Sequence, residues 1–277
     1  MVALKRVMDS GPGKPKGSFA TNPVEKNIIL HQVWDPITHG NVKDTKHAAK
    51  LFMDNYAKHI IELPEFMINN LTIESFKSTC QAGKRSAAGL DGWSAADLSI
   101  LSDHAYEIIV MFLNAIEHEL IEWPEDMLHT RTVFLSKDPN NTTDPLAYRG
   151  LKITSAIYRK WASNRLHALD EWVEQWDHPA LHVVGGKGAM HAWLLTSLKA
   201  EVTKLEGRDL SGGSIDIYKC FDQINRDLLY LVAQRAGMPR RILIPYFKYI
   251  SNLKVRFQIG ENIGPAHHER CSIPQGC

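Results

Sequence analysis

The sequence predicts an α+β fold, and three observations carry that prediction. Segments with apolar residues at helical spacing are mixed with short extended runs. They follow no regular strand–helix–strand alternation, which argues against a doubly wound parallel sheet. The 277 residues, 44% hydrophobic and 23% charged, have ordinary globular composition and supply core for one large domain or two small ones.

Residues 1–23 are rich in Gly, Pro and Lys and read as a disordered, mildly basic lead. "DTKHAAKLFMDNYAKHII" (44–61) reads as an amphipathic helix with Leu51, Phe52, Tyr56 and Ile60 near helical spacing. A second helix starts at Thr72, with Glu74 in its first turn. "AGKRSAAGLDGWS" is a glycine-rich loop, and "DHAYEIIVMFLNAIEHELIEW" (103–123) is a helix stopped by Pro124. "RTVFLSK" (131–137) reads as a strand, and 155–176 and 189–205 as long helices. "SIDIY", within an expected strand at 213–218, alternates Ile215 and Ile217 against Ser214, Asp216 and Tyr218. Its isoleucines should be buried and Asp216 accessible. Helices near 225–236 and 239–250 are divided by Gly237 and Pro239, and "LKVRFQI" (253–259) is a strand entering a hairpin at "GENIGP".

A net charge of +1 announces no polyanion partner, so any basic surface must come from local clustering. Cys80, Cys220, Cys271 and Cys277 form no CxxC pair, which suits a reducing compartment. No apolar run is long enough to span a membrane, and the N-terminus has no secretory apolar region. The expectation is an intracellular protein, nuclear or cytoplasmic and not secreted, with unused sequons at Asn70 and Asn141.

Several groups have chemistry to offer, each with a plain structural alternative. Asp216 is either a solvated strand residue or a metal ligand, since an unpaired buried carboxylate is very costly. Asp222 either caps the helix near Asn225 or pairs with a neighbouring base. Lys137 and Arg149, at the ends of "VFLSK" and "AYRG", are surface charges or phosphate ligands. "VVGGKGAMHAW" (183–193) is a flexible turn before a helix rather than a Walker loop, whose spacing it lacks. In "HHERCSIPQGC" (267–277), adjacent His267 and His268 point to opposite faces if extended, which disfavours tetrahedral zinc. Arg149, Lys152, Arg159, Lys160 and Arg165, interleaved with Tyr158 and Trp161, form either a nucleic-acid surface or a core helix with a solvated face.

The order of these blocks is more specific than any one of them. "SAAGLDGWS", "VFLSK", "YRGLKITSAIYRKWASNRL", "GGKGAMHAWLL", "SIDIYKCFDQINRDLLYLVAQRAGMP" and "CSIPQGC" together resemble the opening blocks of a reverse transcriptase of non-LTR, LINE-type retrotransposons, from about Leu71 to Cys277. The resemblance implies a polymerase right-hand fold with a lead over 1–43, a helical N-terminal extension over 44–102, fingers over 103–210 and a partial palm over 211–277. It implies an RNA-directed DNA polymerase that uses Mg²⁺, or Mn²⁺, with dNTP as substrate, an RNA template and a DNA primer. It makes Asp216 the catalytic, metal-binding aspartate, with the carbonyl of Ile217 as a further metal ligand. The backbone N–H groups of Lys219 and Cys220 would meet the triphosphate, as would the side chains of Lys137 and Arg149. Phe221 would gate against a 2′-hydroxyl, and Gln275 and Gly276 would line the pocket, while Asp222 serves structure.

Ser136 and Gly150 stand where the family has Pro, and Cys220 where Ala is usual. The family's aromatic-x-Asp-Asp block has no counterpart within these residues, so the 277-residue chain is expected to be inactive alone. Two further readings are an RNA-dependent RNA polymerase, against which Phe221 weighs, and a non-catalytic RNA-binding remnant or domesticated scaffold.

Overall fold

Side-chain caps set where most helices begin. In a computed structural model, which describes residues 3–83, 85–178, 180–181 and 187–274, Asn22 accepts from the Val24 N–H and starts α1 (Pro23–His39). Asp44 starts α2 (Thr45–Tyr56), Thr72 starts α3 (Ile73–Gln81), Ser94 starts α4 (Ala95–Leu98), and Ser102 starts α5 (Asp103–Glu117). α6 (Ala156–Ala168), α7 (Asp170–Trp176), α8 (Ala189–Leu205) and α9 (Cys220–Gln223) follow. Asn225 then caps α10 (Arg226–Arg235), and α11 (Arg240–Asn252) begins after Pro239. A two-residue hairpin, β1 (Leu4–Lys5) with β2 (Phe19–Ala20), opens the chain. The remaining strands are β3 (His129–Ser136), β4 (Tyr148–Ile153), β5 (Lys254–Ile259) and β6 (Asn262–Ile263).

The chain is mixed α and β, and its main sheet runs in the order β4-β3-β5-β6. β3 pairs antiparallel with β4 and parallel with β5, while β5 turns back to β6 through Gly260, whose φ is +61°. Register and alternation place Thr130, Thr132 and Phe134 of β3 on one face with Tyr148, Gly150 and Lys152 of β4 and Val255 and Phe257 of β5. α1 covers this face: Trp34 packs 5.4 Å from Phe134, and Phe134 packs 5.2 Å from Phe257. Gly150 is small for this reason. A Cβ there would sit 3.0 Å from Thr132 and 3.8 Å from Trp34, where Pro would crowd the same atoms.

A second core joins α5, α6 and α11. Tyr158 and Tyr249 stack at 3.5 Å, and Trp123 meets both edge-on and donates to the Pro245 carbonyl at 2.9 Å. Beside it lies Glu117, only 2% exposed. Both its oxygens accept from Arg165 at 2.6 Å, Trp161 donates at 2.8 Å, and Arg241 adds a contact at 3.2 Å. A carboxylate this deep is tolerated only because its lone pairs are filled by charged and neutral donors.

Several expectations need correcting. The lead is not irregular throughout: Leu4 and Ala20 are fully buried, Arg6 pairs with Glu25 at 2.9 Å, and α1 spans Pro23–His39. α5 ends at Glu117, well before Pro124, where Glu119 turns left-handed at φ 58°. The helix over 155–176 is two, broken at Leu169. α2 forms as expected, but Leu51, Phe52 and Tyr56 lie on its exposed side. The strand over 213–218 does not form. Residues 211–217 have no ladder partner among the described residues, and Ile215 and Ile217 are 93% and 66% exposed.

One compact unit comprises Met1–Arg165 and Lys219–Cys277, the other Leu166–Tyr218. The sheet lies wholly in the first unit and joins strands assigned to fingers (β3, β4) with strands assigned to palm (β5, β6). The second unit holds α7, where Trp172 and Trp176 meet at 5.4 Å, and α8, which exposes Met190, Trp193, Leu195 and Leu198.

Glu117→Ala should destabilise the first unit by about 3–5 kcal/mol, because it strands the buried Arg165 guanidinium. Urea unfolding measures this; a loss under about 1 kcal/mol contradicts the assigned role.

Candidate nucleotide-binding site

The residues after the second unit re-enter the first at Lys219. Its backbone is left-handed, φ 49° and ψ 43°, an uncommon state for a residue with a Cβ. That turn starts α9 and sends the side chain toward α1 and β4. The ammonium donates to the Tyr148 carbonyl at 2.9 Å and lies 3.9 Å from the centroid of the Trp34 ring. Burial and, second, the like charge of Lys137 lower its pKa from 10.5 to about 8.

Asp222 is buried three residues further on. Burial raises its pKa, opposed by the charges of Lys152, Lys219 and Lys137. Asn225, not Asp222, caps α10, and Asp222 lies within the electrostatic reach of Lys152, Lys219 and Lys137. Lys137, Lys152, Lys219 and Asp222 therefore form one electrostatic cluster, with cations in excess.

A second buried carboxylate holds the cluster's floor. Glu269 pairs with Lys152 at 2.6 Å and approaches Arg226 at 3.9 Å. Arg226 also donates to the carbonyls of Ser272 at 2.7 Å and Glu269 at 2.8 Å, and Lys152 bonds the Ser272 hydroxyl. Ser272 is held left-handed at φ 90°. Its N–H donates to the Ile224 carbonyl at 2.9 Å, and the Ile273 N–H to the Phe221 carbonyl at 3.0 Å. The segment entering "PQGC" is thus tied to both ends of α9. Two non-glycine residues in left-handed backbone flank one short helix, a strain sustained by the bonds around it.

Of the residues expected in a nucleotide pocket, Lys137 and Lys219 come together. Cys220 and Phe221 follow on α9, both exposed, with the Phe221 ring 45% accessible. Arg149 is exposed on β4, and no bond from its side chain is described. It alternates with Tyr148 and Gly150 and so projects from the side of β4 opposite Trp34. Asp216 and Ile217 belong to the second unit, in an exposed stretch without helix or strand. Gln275 and Gly276 lie outside the described residues.

The residues described do not fit a Mg²⁺ pair. Such a pair needs several carboxylate oxygens, whereas Asp216 contributes one side chain and is in no described group of three metal-capable side chains.

The basic helix from 155 is core rather than nucleic-acid surface. Tyr158, Trp161 and Arg165 are buried, Lys160 donates to the Thr79 carbonyl at 2.8 Å, and Arg159 donates to Ser86 at 3.1 Å. These cations fasten the glycine-rich loop. Trp34, Lys152, Arg226 and Glu269 were not foreseen as parts of the site, because nothing near them in sequence marks their partners. A separate cleft of about 560 Å³ is lined by Leu90, Asp91, Asp126, His129, Arg256 and Ile263, none of them expected in a nucleotide pocket.

The depressed Lys219 fixes the sign of a pH effect. Below about pH 8 it is charged in both folded and unfolded chains; between about 8 and 10.5 the folded chain loses the proton first. The unfolded chain then binds more protons, so this group's destabilising contribution is relieved as pH rises through that window. An anion bound by Lys219 needs the proton. Affinity for inorganic tripolyphosphate should fall about tenfold per pH unit above 8, and Lys219→Arg should flatten that slope. Isothermal titration at several pH values checks this; equal slopes in both proteins contradict it.

Neither protein-family models nor the curated proteins compared with this chain give a match.

Proposed function

We propose that the chain is part of an RNA-directed DNA polymerase of the retrotransposon type, with Lys137 and Lys219 at the triphosphate end of its nucleotide pocket. The observation that carries this reading is their convergence. One lysine follows β3 and the other follows the second unit, yet each lies within the other's electrostatic reach. Two ammonium groups held together repel, and a polyanionic ligand would relieve that repulsion. Phe221, next but one after Lys219 and half-exposed, offers a flat apolar surface suited to the sugar of a bound nucleotide. In this reading a deoxyribose passes over Phe221, whereas the 2′-hydroxyl of a ribonucleotide meets it. An RNA polymerase would need a small or polar residue there, so Phe221 favours DNA synthesis.

Under the same proposal, Mg²⁺ would be held with Asp216 only alongside further carboxylates. The finer architecture, a right-hand polymerase with fingers and part of a palm, belongs to this proposal as well. So do an RNA template and a DNA primer as partners. No described helix is long and apolar enough to cross a membrane.

A second reading, a non-catalytic RNA-binding remnant, is favoured by one observation: the stretch carrying Asp216 makes no strand. Both readings predict that the 277 residues do not extend a primer with Mg²⁺ and dNTPs. They part on nucleotide binding. The polymerase reading expects dNTP to bind more tightly than the matching NTP. It expects Lys137→Ala and Lys219→Ala each to weaken dNTP binding at least tenfold, and Phe221→Ala to narrow the dNTP-over-NTP preference. Equilibrium binding of fluorescent nucleotides measures all three. RNA binding with no nucleotide binding would leave the remnant reading standing. Template-dependent extension that Asp216→Ala abolishes would show that a second carboxylate in this chain completes the site.

A further inference from the structure

His31 and Asp35 sit one turn apart on α1, and His267 comes from the segment bridged to β5 at Val255. Each offers a donor atom, and the three atoms lie within 4.8 Å of one another. His31 Nδ1 is 3.0 Å from Asp35 Oδ1. The two imidazoles meet edge-on at 4.6 Å, and each lies 4.6 Å from the Phe257 ring.

The polar atoms left over are the second observation. Both ring nitrogens of His267 are sealed from solvent and have no hydrogen-bond partner, and Nε2 of His31 is in the same state. A neutral imidazole needs one acceptor and one donor. Simple aromatic packing against Phe257 leaves three buried nitrogens unmatched. A cation would use one nitrogen from each ring. Asp35 is part-exposed, which leaves a path for an ion and for water as a further ligand.

We propose that His31, Asp35 and His267 bind a divalent transition-metal ion of the zinc class. Bonds of about 2.0–2.1 Å place tetrahedral donors about 3.3–3.4 Å apart. The His31 Nδ1–Asp35 Oδ1 spacing of 3.0 Å is already close to that, and the three donor atoms lie within 4.8 Å of one another. Two imidazoles and one carboxylate suit Zn²⁺, Co²⁺ or Ni²⁺, whereas Mg²⁺ prefers an all-oxygen octahedron. This site is therefore distinct in chemistry from the Mg²⁺ of the polymerase reading and does not depend on it. Its consequence is mechanical. The ion ties α1 to the segment that runs from His267 to Ser272 and so steadies the floor beneath α9.

The test is a Zn²⁺ titration of the purified full chain against a competing chromophoric chelator, with Co²⁺ absorption as the second readout. The expected result is one ion per chain, with His31→Gln and His267→Gln each weakening binding at least tenfold and exposed His268→Gln leaving it unchanged. Zn²⁺ should raise the thermal midpoint relative to chelator in the wild type and not in those two variants. Bound Co²⁺ should show d–d bands without a thiolate charge-transfer band. Circular dichroism establishes that each variant is folded. Should His31→Gln fail that check, His267→Gln, Asp35→Asn and the wild-type Co²⁺ spectrum still decide. Equal affinity in wild type and His267→Gln, a thiolate band, or no binding at millimolar Zn²⁺ would overturn the proposal.

Discussion

The buried carboxylate of Glu269 is the constraint on which the candidate site depends. Left alone, a charge at that depth would cost several kcal/mol. Lys152 from β4 and Arg226 from α10 neutralise it, and in doing so they join the sheet to the helices that follow the second unit. The same two cations reach Ser272, whose left-handed backbone the network holds in place. Ser272 and Ile273 then fix α9 through main-chain bonds. One anion thus determines where Lys219, Cys220 and Phe221 stand.

With Glu269 engaged by Lys152 and Arg226, the cationic excess falls on Lys137 and Lys219. Lys219 is held by a carbonyl, an indole face and the distant charges of Asp222 and Asp144, none a full counter-ion. Burial, and next the charge of Lys137, therefore lower its pKa, and burial pushes that of Asp222 up. Opposed shifts of this kind mark a site whose charges are not internally balanced. An external polyanion would balance them, and that links the geometry to nucleotide chemistry. Under the proposed function, catalysis would ask for more than binding, because the stretch carrying Asp216 offers one carboxylate where two-metal chemistry needs several.

Much of the fold was legible because local physics decided it. Thr72 begins its helix through its own hydroxyl, Asn225 caps α10, and "LKVRFQI" alternates because one face of β5 is buried. The failures are long-range. α1 lacked a strong apolar stripe and carried Pro36, yet the sheet beneath Trp34 needed a cover. "SIDIY" alternates like a strand, but alternation cannot supply a ladder partner, and none is described. In the proposed site, Lys137, Lys219 and Phe221 were singled out only through the order of the blocks. Lys152 and Ser272, 120 residues apart, had no signal in a single sequence. Arg149 was singled out by its charge and by the order of the blocks, and alternation along β4 sets it apart from Tyr148 and Gly150.

The central claim is that Lys219 is a nucleotide-facing lysine with an unusually low pKa. Pyridoxal 5′-phosphate tests it directly, because the aldehyde condenses with neutral amines and carries a phosphate of its own. After borohydride trapping near pH 8, peptide mass spectrometry reads which lysines reacted. The account predicts that Lys219 is labelled ahead of exposed lysines such as Lys50, and that added dNTP protects it. Labelling of Lys219 no faster than Lys50, or no protection by nucleotide, would contradict the account.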